Sequence, residues 1–125
     1  MLKFIHGADF HLDAPFGALS PEKARQRREE QRQLLDRLAD LAQEVRADLV
    51  LLSGDLLDSS QTYQETVEAL SRTLGQIQAP VFIAPGNHDC YGPRSVYANT
   101  PWPDNVHIFS TVFDFQIISN LFRCA

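Results

Sequence analysis

In this chain of 125 residues, Asp9 and His11 stand two apart just beyond an apolar run, Leu2-Lys3-Phe4-Ile5-His6. Residues two apart on an extended chain project to the same side. A carboxylate oxygen and an imidazole nitrogen are therefore offered to one point. That donor mix suits Mn, Fe or Zn better than Ca or Mg. The plainer alternative is a capping Asp beside an unrelated surface His.

Two further apolar runs end in the same way. Leu49-Val50-Leu51-Leu52-Ser53 is followed by Gly54 and Asp55, and Val81-Phe82-Ile83-Ala84 by Pro85 and Gly86-Asn87-His88-Asp89. Gly54 and Gly86 permit sharp turns that aim the polar groups following them. Asn87 offers a carbonyl oxygen to a metal. His88, with Asp89 beside it, is the candidate for acid–base work or for holding phosphate when charged. Continuous apolar runs of this length read as parallel strands covered on both faces. Sites in open α/β sheets gather beyond the carboxyl ends of such strands.

Three arrivals at one sheet edge place a carboxylate, Asp55, between two groups of N and O donors. That is the arrangement a two-metal centre requires, with ions about 3.5–4 Å apart clamping a phosphoryl group and activating a water. Such chemistry rests on positioning and charge stabilisation rather than on a covalent protein intermediate.

The elements that must position these groups can be read from the chain. Ser20-Pro21-Glu22 is a helix start, and the helix is expected from Pro21 to about Arg46, packing on the sheet through Leu34, Leu35, Leu38, Leu41, Ala42 and Val45. Thr62-Tyr63-Gln64-Glu65 has a capping-box pattern, opening a second helix with Val67, Leu70, Leu74 and Ile77 inward and stopping before Pro80. The order strand, helix, strand, helix, strand gives a parallel βαβαβ unit with right-handed crossovers. Val106 to Phe109 reads as a fourth strand and Val112 to Ile118 as a fifth, while His107 reads as a core or edge residue. Arg25, Arg27, Arg28 and Arg32 form either a DNA-contacting patch or, more simply, a solvated face with pairs such as Arg25–Glu29.

The length fits one domain, 1–125, with a real core. Hydrophobic content of 44% and charged content of 22% are ordinary for a globular protein. No run is long enough to span a membrane, and Cys90 and Cys124 make no disulfide framework, so the expectation is a cytoplasmic protein without a membrane partner. A net charge of −5 argues against a general nucleic-acid coat and leaves room for a local basic groove.

Asp9-x-His11, Gly54-Asp55 and Gly86-Asn87-His88-Asp89, in this order after buried strands, resemble the calcineurin-like metallophosphoesterase superfamily. The text from Phe4 to Phe16 and Gly54-Asp55-Leu56-Leu57-Asp58 resembles its branch of bacterial DNA-repair exonucleases of the SbcD type, over most of residues 2 to 109. The resemblance implies an α/β fold, the N-terminal half of a two-sheet sandwich. It implies that Asp9 and His11 hold one metal, that Asp55 bridges both, and that Asn87 holds the second. His88 would stabilise the transition state or protonate the leaving oxygen, oriented by Asp9 or a neighbouring acid. It further implies Mn2+ (with Fe or Zn as substitutes), DNA as substrate and a coiled-coil ABC-type ATPase as partner.

The resemblance also implies a lone His motif and a Gly-His-x-His motif further along. Neither occurs among these residues, whose histidines are His6, His11, His88 and His107. The expectation is an N-terminal portion with an incomplete second metal site and an uncovered apolar sheet face. That face would drive homo-oligomer formation through Phe113, Phe115, Ile117 and Ile118. The alternatives are a phosphoesterase for small diesters or monoesters, and a non-catalytic piece that only self-associates or docks a partner.

Overall fold

The computed structural model describes residues 1–59 and 62–110. The expected fifth strand, the residues proposed for oligomer contact and Cys124 lie outside them. Strands β1 (Phe4–Gly7), β2 (Leu49–Ser53), β3 (Val81–Ala84) and β4 (Val106–Ile108) alternate with helices α1 (Pro21–Val45), α2 (Gln64–Gln76) and the short α3 (Val96–Asn99). The four strands form one sheet in the order β1-β2-β3-β4, every pair parallel. This is the α/β architecture expected from the alternation of buried runs and helical stripes.

One face of the sheet presents Val50, Leu52, Val81, Ile83 and Val106, which share a core with Leu35, Leu38 and Ala42 of α1 and Leu70 and Leu74 of α2. The two helices lie side by side on that face, joined where Thr73 donates to Asp36 (3.2 Å). A right-handed crossover repeated in one direction puts both helices on the same side. The opposite face carries Phe4, His6, Leu51, Phe82 and His107 by strand alternation. Phe4 there is 59% exposed. His107 is half-buried on the edge strand and stacks on Phe82, with ring centroids 5.2 Å apart, as expected of a core or edge histidine.

Helix α1 starts as read, with the Ser20 hydroxyl accepting from the Lys23 amide. Its buried stripe is narrower than expected. Ala24, Leu35, Leu38 and Ala42 are inside, whereas Leu34 and Leu41 are 46% and 44% exposed. At 100° per residue both leucines sit a quarter turn off the line through 35, 38 and 42. The capping box at Thr62 does not form. Helix α2 begins at Gln64, and Tyr63 at its cap makes no side-chain capping bond. The carboxylate of Asp13 serves instead, accepting from the Tyr63 amide (2.9 Å) and the Thr66 hydroxyl (2.8 Å). A distant acid thus takes the place of the acid three residues into the helix. The stripe of α2 buries Thr66, Leu70, Thr73 and Leu74, with Val67 only half-buried. Helix α3 is capped by Ser95, whose hydroxyl accepts from the Ala98 amide.

Candidate metal centre

The parallel register continues beyond the strand ends. Asp9 donates its amide to Gly54 O (3.1 Å), His11 to Asp55 O (3.0 Å) and Leu12 to Leu56 O (3.0 Å), while Asp58 donates to Leu12 O (3.0 Å). Gly54 in turn donates to Ala84 O (2.7 Å). The loops after β1, β2 and β3 are thereby laid beside one another, carrying the three motifs to one place. Gly54 has φ +79° and Asp55 φ 48°, so the turn after β2 is left-handed at both residues. Gly86 is a glycine for lack of room: a Cβ there would collide with the Asp55 carboxylate and amide.

Asp9, His11 and Asp55 each bring one ligand atom within 4.8 Å of the others. His11 Nε2 lies 4.0 Å from Asp55 Oδ2. The other Asp55 oxygen, Oδ1, accepts the His88 backbone amide at 2.9 Å. Asp55 therefore sits between the β1 motif and the β3 motif. Asn87 is exposed on the same loop, next to that amide.

The imidazole of His11 is aimed by a group that the ligand pattern alone does not show. Its Nδ1 lies 2.9 Å from Asp58 Oδ1. A carboxylate only accepts, so Nδ1 carries the proton and Nε2 turns its lone pair towards Asp9 and Asp55. His88 Nδ1 faces the Asp58 carbonyl oxygen at 3.0 Å. A carbonyl also only accepts, so Nε2 of His88 is the nitrogen left for a ligand or substrate. The expected orientation of His88 by Asp9 or another acid side chain is replaced by this main-chain contact. The His11 and His88 rings meet edge-on, 5.0 Å between centroids. With Asp58 they form a second group of donors within 4.8 Å.

Asp89 is placed differently from a reacting group. It is 5% exposed, and its carboxylate accepts from the Gly86 amide (2.6 Å), the Leu57 amide (3.0 Å) and the Tyr97 hydroxyl (2.6 Å). It ties the β3 loop to the β2 loop from below. Burial, reinforced by the bond to Asp89, pushes the Tyr97 phenol well above its ordinary range. Beside His88 a cavity of about 120 Å³ is lined by Leu57, Ser59, Cys90, Ser95, Val96 and Tyr97 among others.

Asp58 and Tyr97 were not among the expected site residues. Asp58 had a signal, since it stands three residues past Asp55 at the mouth of the same loop; Tyr97, outside every motif, had none. Two of the α1 arginines meet acids, in pairings other than Arg25–Glu29. Arg27 meets Glu30 (2.7 Å), and Arg32 meets Glu29 (3.4 Å) and Glu65 (3.0 Å).

Two carboxylates and an imidazole with its outer nitrogen already held fit a divalent transition ion. A model of the calcineurin-like phosphoesterase family matches residues 2–125. The chain belongs to that family. It is also 34% identical over 116 residues to the uncharacterized metallophosphoesterase YhaO of Bacillus subtilis (strain 168), covering 88% of this chain and 28% of the relative. The chain thus spans under a third of the relative's length. Membership suggests metal-dependent hydrolase chemistry, and the parallel sheet with helices is consistent with the N-terminal half of the metallophosphoesterase fold. No helix among the described residues is long and apolar enough to cross a membrane.

Proposed function

We propose that this chain carries the first part of the active centre of a DNA exonuclease that hydrolyses phosphodiester bonds. The observation that carries the reading is the Asp55 carboxylate, set between His11 Nε2 (4.0 Å) and the His88 amide (2.9 Å) where three strand ends meet. Asp9 and His11 would hold one ion, Asp55 would be shared, and Asn87 would contribute to a second. Divalent ions held there, Mn2+ foremost, would supply charge neutralisation at the phosphoryl group and an acidified water for in-line attack. His88 presents Nε2 to the leaving oxygen, as hydrogen-bond donor and proton source when charged. Asp58 fixes both imidazoles, one through its carboxylate and one through its carbonyl. The similarity of Phe4 to Phe16 and Gly54 to Asp58 to SbcD-type exonucleases supports DNA as substrate and a coiled-coil ABC-type ATPase as partner. Self-association through an uncovered apolar sheet face, with Phe113, Phe115, Ile117 and Ile118 at the contact, belongs to the same proposal.

A second reading, hydrolysis of small phosphodiesters or monoesters, draws on the net charge of −5 and the pairing of Arg27 and Arg32 with acids. Both readings are tested by Mn2+-dependent hydrolysis of a chromogenic phosphodiester, with Asp55→Ala as control, followed by linear duplex DNA and a cyclic nucleotide. Activity on duplex DNA that Asp55→Ala abolishes is expected. Turnover of the cyclic nucleotide alone favours the second reading. A chain inert towards all three would leave it a non-catalytic piece.

A further inference from the structure

We infer that Gln31, in the middle of α1, is the positioning residue that holds His11 in its ligating conformation. This rests on the metal-centre reading above and extends it to a residue outside the motifs. The loop following β1 has an unusual backbone. Asp9, His11, Asp13 and Phe16 have φ of 56°, 45°, 65° and 49°. L-residues avoid this region because Cβ crowds the carbonyl, and they remain there only where the surroundings over-determine them.

On the N–H side the β2 loop supplies the restraint, through Gly54, Asp55 and Leu56 carbonyls. On the carbonyl side the restraint comes from the Ala14 amide, which donates to His11 O (3.1 Å), and from one side chain that reaches both ends of the residue. Gln31 Nε2 donates to Phe10 O (3.2 Å) and to His11 O (3.0 Å). Those two carbonyls flank the φ and ψ of His11, so the two protons of a single amide brace that residue from both ends, where the Ala14 amide reaches only the second. The holder is itself fixed, because Leu35 and Leu38, one and two turns further along α1, are buried in the core.

The orientation of the amide also points to this role. Gln31 Oε1 is buried and has no hydrogen-bond partner among the described residues. A flip would set that oxygen against two carbonyl oxygens, so the carbonyls decide which way the amide faces. Burying an acceptor without a partner costs stability. Gln31 is therefore placed for the loop rather than for the fold. A purely structural residue and a positioning residue now differ in outcome. Gln31→Met keeps the length, removes the orphaned acceptor and removes the two donated bonds.

The test is Mn2+ titration, followed by electron paramagnetic resonance, of the 125-residue chain, Gln31→Met, Gln31→Asn and Asp55→Asn, alongside thermal unfolding without metal. The expected result is Mn2+ binding by the unaltered chain and loss of it in Asp55→Asn. Gln31→Met should bind at least tenfold more weakly while its unfolding midpoint stays level or rises. Gln31→Asn, which keeps the amide but cannot span the distance, should show the same weakening and is read if Gln31→Met fails to fold. An unaltered chain that binds no Mn2+ sinks the metal-centre reading itself. Binding by the unaltered chain that Gln31→Met and Gln31→Asn both retain in full overturns the role of Gln31 alone.

Discussion

The Asp55 carboxylate and the His88 amide lie 2.9 Å apart, across 33 residues of sequence. That contact locks the loop after β3 onto the loop after β2, and it exists because residue 86 has no side chain. Gly86→Ala puts a methyl group into the Asp55 carboxylate and main chain, neither of which can yield without dismantling the turn. The expected outcome is a loss of about 1–3 kcal/mol in stability together with loss of Mn2+ binding. Denaturant unfolding and a metal titration on the same sample measure both.

Asp58 acts on the centre without belonging to the ligand set expected for it. Replacing it with Asn keeps the volume but removes the charge that fixes the His11 tautomer. Metal affinity should fall about 10–100-fold, the usual effect of removing such a partner, while the unfolding midpoint changes little. Isothermal titration with Mn2+ checks the first and calorimetry the second. An affinity equal to that of the unaltered chain would refute this account of Asp58.

Asp13 joins three elements. Its side chain is 3% exposed and accepts from the Tyr63 amide and the Thr66 hydroxyl at the start of α2, 3.9 Å from an Arg32 nitrogen on α1. Asp13→Ala removes a cap and leaves those donors without an acceptor, for a cost of about 1–3 kcal/mol. The loss should be local first. Hydrogen exchange at the first turn of α2 is expected to accelerate more than at Leu70 and Leu74, whose burial does not depend on Asp13.

Tyr97 gives the fold an alkaline limit. Its phenol is raised from an ordinary value of 10.0 by burial and by the bond to Asp89, so the folded chain keeps the proton after the unfolded chain has begun to lose it. Stability is fully present below about pH 10 and declines as pH rises above it. Tyr97→Phe should flatten that decline. At neutral pH it should cost about 1–2 kcal/mol for the bond lost from Asp89, which keeps the Gly86 and Leu57 amides. Unfolding of both proteins at pH 7 and at about pH 11 tests the sign.

The sequence alone determined the frame. Runs such as Leu49 to Ser53 and Val81 to Ala84, short and bounded by Gly or Pro, read as buried strands, and the spacing of Leu35, Leu38 and Ala42 reads as a helix between β1 and β2. Since parallel strands end at one edge, the polar residues just past each run had to converge, and Asp9, His11 and Asp55 do. These are local rules of burial and period, legible residue by residue. Tertiary structure alone decided the rest. Which leucines of α1 turn inward depends on the rotation at which the helix meets the sheet, and Leu34 and Leu41 lost that competition. The cap of α2 comes from Asp13, 50 residues before Tyr63, and no local pattern at Thr62 can announce a partner so distant. The aim of His11 comes from Asp58 and its backbone from Gln31, 47 and 20 residues away. Those bonds exist only once the sheet has set the loops side by side, because a hydrogen bond depends on position in space and the sequence states only position along the chain.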